Sequence, residues 1–167
     1  MPSFRSKRTV LYGDCDPAGA IYTPRVAHFV VEALPDFQAS LLGGPAAREL
    51  LAMGVLPPAR SMHIDFLALL TYDDEIELEV SCIEVGTTSF TCQVEATRRD
   101  KRVAFRARLT QVCVSPQSKR PVGLPPKLRA ALLAALPERL APQPAALASS
   151  ASAAAAKSTN RRTRAAR

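Results

Sequence analysis

Residues 74–110 read DEIELEVSCIEVGTTSFTCQVEATRRDKRVAFRARLT. Ile76, Leu78, Val80 and Cys82 alternate with Glu75, Glu77, Glu79 and Ser81. Phe90, Cys92, Val94 and Ala96 alternate with Thr91, Gln93, Glu95 and Thr97, and Val103, Phe105, Ala107 and Leu109 with Arg102, Arg106, Arg108 and Thr110. A period of two places successive side chains on opposite faces, so each run predicts an antiparallel strand with one face on a core. The connections at Val85–Thr88 and Arg99–Lys101 are hairpin-sized, which joins strands over 74–82, 89–98 and 102–110 into a meander.

The sheet needs a partner for its apolar face, and the upstream sequence supplies one. Val26, Phe29, Val30, Ala33, Phe37 and Leu41 recur at helical spacing behind Pro24, a residue favoured in a first helical turn. Pro35 falls inside this run and predicts a kink or a split; Gly43-Gly44-Pro45 ends it. A short helix over Ala46–Met53, strands over 5–13 and 61–70, and a last helix over Pro126–Leu136 complete the reading. The expected class is α+β: one long central helix wrapped by a curved antiparallel sheet.

The chain has 167 residues, 47% hydrophobic and 22% charged, which suits one domain with a real core. After Pro137 it turns to Ala, Pro and Ser and loses its aromatic residues, so the division expected is a domain over 1–140 and a disordered tail over 141–167. The formal charge of +7 is concentrated: residues 157–167 hold five basic side chains and no acid, while the other 156 residues carry 17 basic and 15 acidic. A nearly balanced body argues against nucleic acid as a partner and leaves the basic end as a solvated tail. The longest uncharged run is broken by Pro142 and Pro144, so no membrane span is expected, and no apolar signal segment opens the chain. Cys15, Cys82, Cys92 and Cys113 show neither CxxC nor histidine spacing; we expect no metal, no cofactor, and reduced thiols in a cytoplasmic setting.

Chemistry concentrates in Tyr12-Gly-Asp-Cys-Asp-Pro-Ala-Gly-Ala-Ile-Tyr-Thr-Pro24. Asp14 and Asp16 lie just before the helix, where Pro17 and Gly19 turn the chain and the first helical N–H groups lack partners. A carboxylate beside free N–H donors can attack or deprotonate while the donors stabilise an oxyanion. The same residues also serve ordinary capping and turn formation.

The stretch Gly13-Asp14-Cys15-Asp16-Pro17-Ala18-Gly19 resembles the signature of the 4-hydroxybenzoyl-CoA thioesterase family of hot-dog-fold proteins. The order of elements over residues 5–136 is similar too. The resemblance implies an acyl-CoA thioesterase, with acyl-CoA as substrate and a homo-oligomer, dimer or tetramer, as the assembly. It implies Asp16 as nucleophile or general base and the backbone N–H of Thr23 as the group that polarises the thioester carbonyl, with Asp14 and Cys15 building the turn. It also exposes two departures. Where hydroxybenzoyl-specific members carry an acid on the central helix, this chain has Val31, which points to another aryl group or a medium-chain acyl group. Where those members place two arginines in the first meander hairpin, this chain has Gly86 and Thr87, so Arg98, Arg99, Lys119 and Arg120 become the candidates for the CoA phosphates. His28, one turn into the helix, is a candidate for lining the acyl pocket, and His63 with Asp65 for a surface pair. The alternative function is a hot-dog protein that binds acyl-CoA without cleaving it.

Overall fold

The computed structural model describes residues 3–137. In chain order it contains β1 (Phe4–Thr9), α1 (Thr23–Leu42), α2 (Ala46–Ala52), β2 (Ala59–Phe66), β3 (Glu75–Val85), β4 (Ser89–Arg98), β5 (Val103–Val112) and α3 (Pro126–Ala134), with a single 3-10 turn over Tyr12–Asp14. The strands form one antiparallel sheet in the order β1-β3-β4-β5-β2. The central pairings carry the sequence alternation directly: Leu78 faces Ala96, Val80 faces Val94 and Cys82 faces Cys92 across β3–β4, and Val94 faces Ala107 across β4–β5. All of these are buried, as are Val26, Phe29, Val30, Ala33, Leu34 and Phe37 of α1, which packs on the inner face of the sheet.

Several boundaries move for identifiable reasons. β1 stops at Thr9 rather than residue 13, because Val10 exchanges backbone hydrogen bonds with Asp73 and Asp74 and the chain then turns. β2 ends at Phe66 rather than residue 70, because the Leu67 and Ala68 N–H groups both donate to the Ala104 carbonyl and swing the strand off its ladder. β3 continues to Val85 past a bulge between Cys82 and Glu84, and α3 ends at Ala134. Cys113 follows β5 instead of lying in it, yet is fully buried, and all four thiols are free.

Of the two outcomes expected at Pro35, the split does not occur: α1 runs as one helix of 20 residues. Proline removes one i→i−4 bond, here the one that would reach the Val31 carbonyl. Val31 and Pro35 both sit on the exposed side of α1, away from the core, where an unpaired carbonyl costs least. The expected tail, 141–167, lies outside the described residues.

The inner face of β2 is the part of the sheet that the helices leave uncovered. Met62 and Ile64 are half-buried there and Phe66 is exposed, although their cross-strand partners Leu109, Ala107 and Phe105 are buried. The opposite edge, β1, carries Arg5, Lys7 and Arg8.

The α1–sheet contact is expected to dominate stability. Phe37→Ala should lower the unfolding free energy by about 3–5 kcal/mol, as for other fully buried aromatic residues. Val31→Ala on the exposed face should cost less than about 0.5 kcal/mol. Urea denaturation of both variants checks the contrast.

Candidate active site

The loop between β1 and α1 is organised around one carboxylate. Asp14 is 1% exposed. Its Oδ2 accepts from the Leu11 N–H at 2.9 Å, and its Oδ1 accepts from Arg25 Nε, in the first turn of α1, at 2.5 Å. Its backbone takes part as well, since the Tyr22 N–H donates to the Asp14 carbonyl at 2.8 Å. Burial pushes the Asp14 carboxyl up, but the Leu11 N–H and the Arg25 guanidinium more than offset this and hold it below the ordinary carboxylate value. One side chain thereby ties the end of the 3-10 turn to the start of the helix.

Within that frame residues 15–21 make a miniature hairpin. Cys15 and Ile21 pair as a bridge, the Asp16 N–H donates to the Ala20 carbonyl at 2.8 Å, and Gly19, at φ 80°, takes the left-handed turn position that suits glycine. Asp16 Oδ1 accepts the Ala18 N–H at 2.9 Å, while Oδ2 has no hydrogen-bond partner among the described residues. The hairpin is stitched to the segment after β2: the Ile21 N–H donates to the Leu70 carbonyl at 2.9 Å, and Ala20 pairs with Thr71.

This stitching forms a groove of about 400 Å³. Asp16 and Thr23 lie in its wall, with Ala20 and Ile21 beside them and Phe66–Leu70 opposite. Thr23 is the first residue of α1, and its N–H has no partner among the described residues, as expected for a first-turn donor. Pro24 follows and has no N–H to offer. A carboxylate with an open oxygen and an unpaired N–H at a helix start thus share one groove whose other walls are mainly apolar. Such an arrangement can attack, or direct water at, an acyl carbon and stabilise the charge that develops on its oxygen.

Cys15 does not fit a nucleophilic role. Burial and the neighbouring Asp14, Asp16 and Asp74 carboxylates push its thiol up, so it stays protonated, and its Sγ lies 3.8 Å from the Leu11 carbonyl.

The other candidates from the sequence scatter. His28 and Val31 are exposed on α1 and do not line the groove. Arg98 is spent on architecture: Nη2 reaches Asp74 Oδ1 and Nη1 the Leu69 carbonyl, each at 3.0 Å, and Leu69 belongs to the groove wall. Asp74 in turn accepts from the Thr71 N–H at 2.8 Å, which fixes the turn Thr71–Asp74 in which Asp73 takes φ 64°. Arg99 is exposed near this same end of the sheet, 3.7 Å from Glu75. Lys119 and Arg120 sit in a tight turn closed by the Ser115 N–H to the Arg120 carbonyl, beyond the end of β5 and beside Thr88. In the antiparallel sheet that is the end opposite Asp16. His63 and Asp65 form a surface pair at 3.0 Å. Among the described residues no group of acidic, histidine and cysteine side chains has the spacing of a metal site.

Three parts of the site escaped the sequence reading: Arg25, the structural role of Arg98, and the wall Phe66–Leu70. The last left a trace, since Phe66-Leu-Ala-Leu-Leu70 breaks the alternation of the strand before it.

Comparison with known proteins bears on this geometry. Residues 10–132 match the Thioesterase-like superfamily. A search of the curated proteins finds no match. Among solved structures, a thioesterase superfamily protein from Jannaschia sp. CCS1 is similar at 26% identity and a TM-score of 0.74, covering 81% of this chain and 94% of that one. A 1,4-dihydroxy-2-naphthoyl-CoA thioesterase from Synechocystis is similar at 20% identity and a TM-score of 0.70, covering 78% and 96%. So is an aspartate-to-asparagine variant of 4-hydroxybenzoyl-CoA thioesterase in complex with 4-hydroxybenzoyl-CoA, at 20% identity and a TM-score of 0.71, covering 78% and 98%. The profile match spans most of the chain and the five-stranded sheet around α1 is the architecture of these structures: the chain belongs to the thioesterase-like superfamily and has its hot-dog fold.

Proposed function

We propose that this protein hydrolyses an acyl-CoA thioester to the free acid and CoA, with Asp16 as nucleophile or general base and the Thr23 N–H as the donor to the carbonyl oxygen. The observation that carries the reading is that these two groups share one groove with apolar walls. In the nucleophilic route an Asp16 oxygen adds to the acyl carbon and the C–S bond breaks, releasing CoA thiolate and leaving a mixed anhydride. Water then cleaves the anhydride to acid and regenerated carboxylate. In the general-base route Asp16 takes a proton from water as the water adds, and that proton passes to the departing thiolate. Either way negative charge grows on the carbonyl oxygen in a poorly solvated groove, where one fixed N–H is worth more than in water.

The acyl group we propose is aryl or medium-chain, because the groove wall is Ile21 and Phe66–Leu70. Val31, which stands where hydroxybenzoyl-specific relatives carry an acid, is 49% exposed and offers nothing to a ring hydroxyl. A binding protein without catalysis is the competing reading; it needs an acyl groove but gives no reason for an open carboxylate oxygen within it.

We also propose a dimer paired along β2. Its uncovered apolar row is continuous with Phe66 and the groove wall, whereas β1 is fortified by cations. Antiparallel pairing of two β2 strands about a two-fold axis perpendicular to them would set the far end of one sheet, with Lys119 and Arg120, beside the groove of the other.

Asp16→Asn keeps the shape of the turn and removes the charge. The expected result is a kcat loss on the order of 10²-fold or more, at least ~2.7 kcal/mol of transition-state stabilisation, with a much smaller change in KM. A panel of aryl- and alkyl-CoA thioesters followed with a thiol reagent measures it; full activity of the variant on every thioester would refute the mechanism. Asp14→Asn should instead lower stability. Because the folded carboxyl titrates below its ordinary value of 3.8, the ionised group stabilises the fold above that pH and loses its contribution as pH falls below it. The stability gap between wild type and Asp14→Asn should therefore be full near pH 6 and shrink in acid, as read by urea denaturation across pH. For the assembly, light scattering should give twice the chain mass, and Ile64→Glu should halve it.

A further inference from the structure

A second cavity lies over the ends of β1, β3 and β4 and measures about 460 Å³. Pockets of roughly 300–1,000 Å³ are the usual size for small-molecule ligands. Five cations line it, against the two carboxylates Glu75 and Glu77. Both carboxylates are met by arginines: Arg5 lies 3.4 Å from Glu77, and Arg99 lies 3.7 Å from Glu75. Arg8 is bonded to Glu32, and Arg98 to Asp74. Lys7 on β1 and Lys101 on the β4–β5 hairpin are left on two sides of the cleft with no ion pair among the described residues. The nearby Asp100 does not quench Lys101, since Arg102 holds its carboxylate at 2.9 and 2.8 Å. Lys101 takes φ 68° at the hairpin tip, a left-handed position where glycine is the usual choice. The Thr9 and Thr97 hydroxyls add neutral donors to the lining.

We infer that this cleft holds the phosphate groups of the substrate's nucleotide end, with Lys7, Arg99 and Lys101 as the contacts, an inference that rests on the acyl-CoA reading above. The cleft and the Asp16 groove have no lining residue in common, but one hydrogen bond links their walls. Arg98 lines the first and bonds the carbonyl of Leu69, which lines the second. A thioester seated at Asp16 has only to lead its arm past one guanidinium to bring its phosphates to the two lysines. In the same chain Lys119 and Arg120 stand at the other end of the sheet and reach this groove only from a second copy. The cleft, by contrast, lies on the chain that carries the reacting carboxylate, and the two placements are told apart by which pair of cations the phosphates need.

The experiment compares benzoyl-CoA with S-benzoyl-N-acetylcysteamine, which presents the same thioester without phosphate, on the full chain and on Lys7→Gln/Lys101→Gln. In that variant kcat/KM for benzoyl-CoA should fall roughly tenfold or more relative to kcat/KM for the phosphate-free thioester, the scale of one or two charge-assisted hydrogen bonds. The fall should reside in KM. An unchanged ratio overturns the inference, as does the same fall produced by Lys119→Gln/Arg120→Gln. If the wild-type chain cleaves neither thioester, the acyl-CoA reading fails separately. Calorimetry with adenosine 3′,5′-bisphosphate then decides the cleft alone: binding that the double variant loses supports it, and no binding by the wild type overturns it.

Discussion

The buried Asp14 carboxylate is the interaction on which the rest of the molecule's chemistry depends. A charge removed from water is costly unless hydrogen bonds replace its hydration, and here a backbone N–H and a guanidinium do so. Because one donor comes from the turn after β1 and the other from the first turn of α1, satisfying the charge also fixes the angle at which the helix leaves the sheet. The open oxygen of Asp16 and the N–H of Thr23 are then held by backbone bonds on either side of a short hairpin, and neither has to be ordered by a ligand. Such preorganisation is what makes a single dipole effective against a charge that appears only in the transition state.

The two halves of the site differ in character. The side formed by residues 14–23 is polar, built from turn chemistry and backbone donors. The side formed by Phe66–Leu70 is apolar and is held in place from behind by Arg98, whose guanidinium spans the Leu69 carbonyl and Asp74. A residue of the type expected to greet a phosphate thus serves as scaffolding, and its charge is spent inside the fold.

How much of this could be read from residues alone follows from the range of each interaction. The meander was legible because the alternation in β3, β4 and β5 is a local record of burial, and the register pairs the apolar positions Leu78, Val80 and Cys82 with Ala96, Val94 and Cys92 before the bulge that follows Cys82. The turn after Asp16 was legible because Pro17 and Gly19 constrain the backbone where they stand. Whether Pro35 would split the helix was not legible, since its cost depends on which side of α1 faces water, a tertiary property. Arg25 and Arg98 were opaque for the same reason: their partners lie 11 and 24 residues away, and nothing local distinguishes a buried arginine from a solvated one. What His28 and Val31 meet could not be read from the sequence, because helical spacing gives a face but not the neighbour that the face meets.

The unequal edges of the sheet bear on how growth stops. Any exposed strand offers unpaired donors and acceptors, and a sheet with two permissive edges can add copies without end. Here one edge presents the half-covered row Met62, Ile64 and Phe66, and the other presents Arg5, Lys7 and Arg8. In the proposed dimer the β2 edge is consumed by its own copy through a two-fold axis, which leaves the β1 edges at both outer rims, where Arg5 and Arg8 are ion-paired and Lys7 has no ion pair among the described residues. Closure of that dimer would then follow from the order of the strands, with a charged strand rather than an apolar row at each remaining edge.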